Sequence, residues 1–118
     1  MRSVGSRYEE QAAAWLASRG YRIKDRSFNC PMGEVDIIAE QGGDLVFVEV
    51  KARRSESHGR PYEAVTRSKQ AKIIKAALVY IKSRGLRPAG IRFDVVSIKM
   101  GAEPELIKSA FDAPGYYY

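Results

Sequence analysis

Two apolar runs separated by a Gly42-Gly43 dipeptide constrain this chain more than any other stretch. Val35–Glu40 and Leu45–Ala52 have the composition of β-strands, and a Gly-Gly pair between such runs predicts a hairpin with a two-residue turn. A turn of that length sets the register of the two strands. It places Asp36 directly opposite Glu49, near the open end of the hairpin.

Charged side chains occupy that open end, although the neighbouring residues are typical of a core. Side chains alternate along strands, so Asp36, Glu49 and Lys51 are predicted to share one face. Two facing carboxylates repel each other, and burying an unpaired ion costs several kcal/mol. A divalent cation such as Mg²⁺ or Mn²⁺ between the two carboxylates turns that repulsion into attraction.

Lys51 lies two residues beyond Glu49 and is expected beside such a cation. There its ammonium group could hold a water nucleophile or stabilise phosphate charge in a transition state. The other interpretation is a surface ion pair, Glu49–Lys51 or Glu34–Lys51, at a strand end and nearly neutral in energy. The facing Asp36 and the apolar surroundings favour the metal site.

The rest of the chain predicts a layered α/β protein. Hydrophobic periodicity and breaker residues indicate five further elements: a helix over Ser6–Arg19, a strand over Tyr21–Phe28, a helix from Thr66 to about Arg84, and strands over Ile91–Ile98 and Glu105–Phe111. Residues 29–33 are predicted as a turn and 53–63 as a loop. The order α-β-β-β-α-β-β contains a βαβ unit with parallel strands and a right-handed crossover. We therefore expect one domain, residues 1–118, with a mixed β-sheet flanked by helices.

Composition narrows the cellular setting and the partner. The 118 residues include one cysteine, Cys30, which has no internal disulfide partner. No apolar run approaches the ~20 residues of a membrane helix, and the N-terminus lacks a signal-peptide apolar region. We expect a soluble, cytoplasmic protein that does not bind a membrane. The formal charge of +6 indicates a polyanionic partner, and nucleic acid is the commonest one.

Basic residues cluster in sequence just after the hairpin. Those predicted to follow a phosphate backbone are Arg53, Arg54, Arg60, Arg67, Lys69, Lys72 and Lys75. The alternative is a solvated helix face next to a solubilising loop. Because no base-reading motif is present, we expect recognition of DNA shape rather than of sequence, with DNA favoured over RNA.

Several stretches together resemble one nuclease superfamily. They are E-x-x-A-x-x-x-L-x-x-x-G-Y from Glu9 to Tyr21, G-E-V-D-I-I, F-V-E-V-K-A-R, G-R-P-Y-E-A-V-T-R-S-K-Q and R-F-D-V-V. The acidic residue followed across a hairpin by E-x-K resembles the PD-(D/E)XK signature. The whole pattern resembles the YraN-type family of small bacterial proteins in that superfamily, which is related to archaeal Holliday-junction resolvases.

This resemblance implies a restriction-endonuclease-like fold, a divalent metal and phosphodiester cleavage. It implies that Asp36 and Glu49 are metal ligands and that Lys51 is the catalytic lysine. Glu9 matches an acidic residue that resolvase-like members bring to the metal, and Gln70 matches a polar position beside the site. Val35 stands where the family signature has proline, a position that varies widely in the superfamily.

Three functions remain open from the sequence. The first is a metal-dependent endonuclease acting on DNA, selective for branched or damaged structures. The second is a module of the same fold that binds nucleic acid without cutting it, and the third is an adaptor whose basic surface meets an acidic protein. The sequence leaves open whether the protein forms a homodimer.

Overall fold

The computed structural model describes residues 4–53, 65–99 and 101–113. Its elements follow the predicted order: α1 Val4–Ser18, β1 Arg22–Cys30, β2 Gly33–Gln41, β3 Asp44–Arg53, α2 Arg67–Ser83, β4 Gly90–Lys99 and β5 Glu105–Phe111. The predicted turn over 29–33 was too long, because β1 continues to Cys30 and pairs there with Gly33. Of the predicted loop over 53–63, Arg53 ends β3 and the remaining residues lie outside the described ranges.

The five strands form one sheet in sequence order, β1-β2-β3-β4-β5. Strands β3 and β4 are parallel, and the other neighbouring pairs are antiparallel. Helix α2 connects the two parallel strands, which confirms the predicted βαβ unit and the mixed sheet. The Gly42-Gly43 turn pairs Gln41 with Asp44, as a two-residue hairpin loop requires.

The two helices cover opposite faces of the sheet, each over its own apolar cluster. Buried residues on the α1 side are Ala12, Ala13, Leu16, Tyr21, Ile37, Ala39, Val46, Val48, Val96 and Ile98. Those on the α2 side include Val35, Ile38, Leu45, Phe47, Ile73, Ile74, Ala77, Tyr80, Phe93 and Val95. Alternate residues of β3 enter the two clusters, as expected for a strand covered on both sides. Each fully buried aliphatic or Phe side chain contributes roughly 1.5–3 kcal/mol of transfer free energy.

Capping at the start of α2 determines which residues form its first turn. Thr66 is the N-cap, and its side chain accepts a hydrogen bond of 3.2 Å from the backbone N–H of Lys69. Lys69 therefore lies in the first turn, at the end of the helix nearest β2 residue Gly33. A Cβ atom at Gly33 would lie 2.7 Å from the carbonyl oxygen of Lys72, so only glycine permits this close approach of strand and helix. No described helix is long and apolar enough to cross a membrane.

Asp94, in the middle of β4, is a fully buried carboxylate with a complete set of partners. It accepts hydrogen bonds from the Tyr21 hydroxyl at 2.9 Å, from two nitrogens of Arg92 at 3.0 Å each, and from the backbone N–H of Ser109 at 2.9 Å. Burial, followed by the charge of Asp94, raises the pKa of Tyr21 to about 12. This network connects Tyr21, which follows α1, to β4 and β5, so Asp94 stabilises the fold.

Candidate active site

The hairpin of β2 and β3 has the register that its turn predicts. Paired positions run from Gln41 with Asp44 to Ile37 with Val48. The regular pairing ends there, and the next residues outward are Asp36 and Glu49, whose carboxyl groups are close enough to interact. The register on which the predicted site depends is confirmed as far as the Ile37–Val48 pair.

Regular alternation breaks at Asp36. Val35 packs in the α2-side cluster and Ile37 in the α1-side cluster, although residues two apart in a regular strand share a face. The position opposite Asp36 on β1 is Ser27, whose φ of 53° is unusual for a residue other than glycine. Both strands therefore depart from regular geometry at the same level, and backbone strain of this kind concentrates at functional sites.

The Asp36 carboxylate lies between the two strands where they diverge. Its Oδ2 accepts a hydrogen bond of 2.8 Å from the backbone N–H of Val50 on β3. Burial, followed by the neighbouring charge of Glu49, raises the pKa of Asp36 to about 7, and the hydrogen bond from Val50 acts in the opposite direction. Without a cation, Asp36 is therefore partly protonated near neutral pH.

Glu49 is the most enclosed acidic residue of the site, with 4% of its surface exposed. Its Oε2 lies 3.6 Å from the Nζ of Lys51 and 3.7 Å from the Nζ of Lys69. Its Oε1 is buried and has no hydrogen-bond partner among the described residues. A buried carboxylate oxygen without a partner is costly. A proton on Asp36 can satisfy it, since a hydrogen bond between the two side chains contributes to the raised pKa of Asp36, and a divalent cation between the two carboxylates would replace that proton.

The donor set suits a hard divalent cation bound by few protein ligands. Mg²⁺ commonly binds one or two carboxylates and completes its octahedral shell with waters and substrate phosphates. Asp36 and Glu49 supply two carboxylates that face each other, one with an unpartnered oxygen. No cluster of three or more Asp, Glu, His or Cys side chains able to hold a metal occurs among residues 4–53, 65–99 and 101–113. The residues present therefore fit a two-carboxylate site.

Glu9 on α1 reaches the same region from the other side. Its Oε1 accepts a hydrogen bond of 2.6 Å from the Ser27 hydroxyl. Burial raises the pKa of Glu9, the Ser27 hydrogen bond lowers it, and the charge of Asp36 raises it. Glu9 is thus within electrostatic reach of Asp36 and is held by Ser27, and its role as a metal ligand stays a prediction.

Gln70 lies at the start of α2, as predicted, but its side chain is engaged in the helix entry. Its Nε2 donates a hydrogen bond of 3.0 Å to the carbonyl oxygen of Val65, a buried residue before the N-cap. The contact closes the connection into α2. It gives Gln70 a local structural partner, and a role beside the metal stays a prediction.

The predicted basic residues divide into three groups. Lys69 contacts Glu49, whereas Arg67, Lys72 and Lys75 are exposed on α2. Arg53 is the last residue of β3, and Arg54 and Arg60 lie outside the described residues. An open groove next to the carboxylates is lined by Lys69 and Lys72 from α2 and by residues 29–34 of the β1–β2 connection. Two of the predicted phosphate-binding lysines thus line a groove that shares Lys69 with the site.

Sequence reasoning did not identify two contacts of the site. The ion pair between Lys69 and Glu49 joins residues twenty positions apart on different elements, and the hydrogen bond from Ser27 to Glu9 joins β1 to α1. The capping pattern of Thr66 signals that Lys69 is in a first helical turn. Nothing in the sequence signals that this turn lies over Glu49.

The fold of this chain matches that of a solved structure. The solved structure of Hjc from Archaeoglobus fulgidus, a Holliday junction resolvase, matches 88% of this chain and 76% of that chain, with a TM-score of 0.52 and 16% sequence identity. The likeness shows the fold, a mixed five-stranded sheet with flanking helices.

Sequence comparison identifies the family. The chain belongs to the uncharacterised protein family UPF0102, the YraN family, whose pattern matches residues 8–98. A UPF0102 protein of Syntrophus aciditrophicus is 45% identical over 112 residues, covering 92% of this chain and 88% of that protein. One from Symbiobacterium thermophilum is 44% identical over 116 residues, covering 95% and 98%. The resemblance read from the motifs is confirmed.

Proposed function

We propose that this protein is a metal-dependent endonuclease that hydrolyses phosphodiester bonds of DNA and selects branched or damaged structures. One observation carries the proposal: a buried Glu49 with an unpartnered oxygen faces Asp36, and Lys51 lies beside it. The likeness to a Holliday junction resolvase shows the fold alone and adds a reason to test branched substrates first.

Asp36 and Glu49 would hold Mg²⁺ or Mn²⁺ between the diverging strands. A bound ion of this kind activates water as a nucleophile at neutral pH and polarises the phosphate. The Val50 N–H keeps the Asp36 carboxylate oriented towards β3. Glu9, held by Ser27, adds negative charge behind Asp36 and favours the divalent cation at the pair.

Lys51 is placed to act on the reacting phosphate. Its backbone pairs with Ser97 of β4, so its Cα is held by the central strands, and its side chain is 28% exposed. From Glu49 its ammonium group can reach an incoming phosphate and neutralise the charge that develops there. The exposed Arg67, Lys72 and Lys75 of α2 would bind flanking phosphates, in keeping with the net charge of +6.

The test is a cleavage assay on fluorescent linear, flapped and four-way DNA with Mg²⁺ or Mn²⁺. Lys51→Ala is the principal variant, and Lys108→Ala, an exposed lysine on β5, is the matched control. We expect Lys51→Ala to lower cleavage by ~10²-fold or more while DNA affinity changes only a few-fold. All proteins must be purified identically, because trace nucleases mimic weak activity.

Two results would overturn the nuclease proposal. If wild type and Lys51→Ala cut every substrate at the same rate, the cutting does not come from this site. If wild type cuts nothing across the panel yet binds DNA tightly, the non-catalytic binding module replaces the nuclease. A protein that neither cuts nor binds DNA would support the adaptor instead.

A further inference from the structure

Two ammonium groups converge on one oxygen of Glu49, and they come from different elements. Lys51 belongs to β3 and Lys69 to the first turn of α2, and both contact Oε2 while Oε1 has no partner among the described residues. The predicted DNA-binding role of Lys69 does not explain why its ammonium group lies on a buried carboxylate. Its position makes Lys69 part of the carboxylate site.

We propose that Lys69 is the internal counter-ion of Glu49, displaced when a divalent cation binds, and thereby released towards a nucleic-acid phosphate in the adjacent groove. The proposal rests on the metal centre proposed above and deepens it. It assigns Lys69 a positioning role at Glu49.

Charge balance supports displacement. In the metal-free site, two ammonium groups contact Glu49, and the neighbouring Asp36 is partly protonated. Adding a divalent cation at Asp36 and Glu49 Oε1 leaves an excess of positive charge within a few ångströms, where Coulomb repulsion is strong because the site is partly buried. The repulsion falls if one ammonium group withdraws or if a phosphate arrives between the cations.

Geometry decides which lysine withdraws. Lys51 sits on a central strand two residues from Glu49, and its backbone pairs with Ser97, so its ammonium group stays near the carboxylate. Lys69 approaches from the helix with a side chain that is 36% exposed. Its side chain also lines the open groove shared with Lys72, so Lys69 can rotate from Glu49 into that groove without moving α2.

The test compares Mn²⁺ affinity in variants of the full chain, measured as free Mn²⁺ by electron paramagnetic resonance. Lys69→Met removes the charge and keeps most of the side-chain length. Lys72→Met is the matched control, since Lys72 lies three residues later on the same groove and forms no ion pair with the described residues. Lys69→Arg keeps the charge.

We expect Lys69→Met to bind Mn²⁺ about tenfold more tightly than wild type, because the cation no longer displaces an ammonium group; tenfold corresponds to about 1.4 kcal/mol. Lys72→Met and Lys69→Arg should stay within about twofold of wild type. A second readout is thermal unfolding in a chelator, where Lys69→Met should melt at a lower temperature than Lys72→Met. Should Lys69→Met fail to fold, Lys69→Gln takes its place.

The outcomes separate this inference from the proposed nuclease. If Lys69→Met binds Mn²⁺ as wild type does, or more weakly, Lys69 is not displaced and the inference is overturned, while cleavage by wild type would still support the nuclease. If Lys69→Met binds more tightly but no substrate is cut, the counter-ion role stands and the nuclease falls. If wild type and all variants fail to bind Mn²⁺, both proposals are overturned.

Discussion

Asp94 and Glu49 are both buried carboxylates on the two central strands, and the protein satisfies them in opposite ways. In the parallel register, Asp94 of β4 pairs with Val48, the residue just before Glu49. Asp94 has four hydrogen-bond donors at 2.9 to 3.0 Å. Glu49 has two lysine contacts at 3.6 and 3.7 Å on one oxygen and none on the other within the described chain.

The difference distinguishes a carboxylate that serves the fold from one kept available for a ligand. The donors to Asp94 are Arg92 on the same strand, the backbone N–H of Ser109 on β5 and the hydroxyl of the buried Tyr21. The lysine contacts of Glu49 are longer and come from partly exposed side chains. A buried charge that the fold alone needed would be satisfied as Asp94 is.

Removing the two carboxylates should therefore affect stability unequally. Asp94→Ala leaves the Arg92 guanidinium largely unpaired, and the Tyr21 hydroxyl and Ser109 N–H without their acceptor, so we expect a loss of about 3–5 kcal/mol in the free energy of unfolding. Glu49→Gln relieves repulsion with Asp36 while losing ion pairs, so stability should change by less than about 1 kcal/mol. Urea unfolding at pH 7 with chelator measures both.

Glu103→Ala is the control for this comparison, because its ion pair with Arg19 is exposed and long at 3.8 Å. Asp94→Asn serves if Asp94→Ala does not fold. Equal losses for the Asp94 and Glu49 variants would mean that Glu49 is a structural residue, and the distinction between the two carboxylates would fail.

The sequence predicted the positions of Asp36 and Glu49 in the hairpin better than the backbone geometry around them. The Gly42-Gly43 turn and strand alternation are local signals, and they sufficed to place Asp36 opposite Glu49. They could not predict the change of face at Asp36, which occurs opposite Ser27 of the neighbouring strand, a residue with a positive φ. Such a change arises from tertiary packing rather than from the propensity of either strand.

Contacts between distant elements were likewise beyond the sequence. Asp94 interrupts an apolar strand, so pairing near Arg92 is expected of a buried carboxylate. Its bond to Tyr21, however, spans 73 residues. The Lys69 contact to Glu49 depends on how closely α2 approaches β2, which Gly33 permits. The hydrogen bond from Gln70 to the carbonyl oxygen of Val65 was likewise not signalled by the sequence, and the role of Gln70 beside the metal stays a prediction.

The pH dependence of the free energy of unfolding tests the carboxylate site through Asp36. Its folded-state pKa is raised from 3.8 to about 7, so the folded state holds a proton that the unfolded state loses above pH 4. In chelator, stability from this group is full below pH 4 and is lost as pH rises from about 4 to about 7. We expect a loss on the order of 2 kcal/mol after allowing for solvent screening.

Asp36→Asn removes the titrating group and should flatten this part of the pH profile. Saturating Mg²⁺ should flatten it as well in wild type, because a cation stabilises the ionised form. The measurement is urea unfolding at half-unit steps from pH 4 to pH 8. A wild-type profile that already matches Asp36→Asn in chelator would mean that the carboxylates do not oppose each other in the folded protein.

The smallest expected effects concern two serines with positive φ, one that contacts Asp94 and one that lies opposite Asp36. Ser109 has φ 50° and donates its backbone N–H to Asp94, whereas Ser27 has φ 53° and donates its hydroxyl to Glu9. A left-handed conformation costs residues other than glycine roughly 1–2 kcal/mol, so a glycine there stabilises the folded state. Glycine also raises the conformational entropy of the unfolded chain, which lowers stability by about 0.4–1 kcal/mol. Ser109→Gly keeps the N–H and should therefore stabilise the protein by about 0.5–1 kcal/mol.

Ser27→Gly gains the same relief but loses the 2.6 Å hydrogen bond to Glu9, so its net effect should be close to zero. Ser27→Ala, which keeps the strain and loses the bond, should be destabilising by about 1 kcal/mol. Differential scanning calorimetry of the three variants decides the point. If Ser27→Gly stabilises as much as Ser109→Gly, the Ser27 hydroxyl contributes nothing to the folded state. Glu9 would then be held near Asp36 by the packing of α1 alone. The positive φ of Ser27 would then serve the site rather than the stability of the fold.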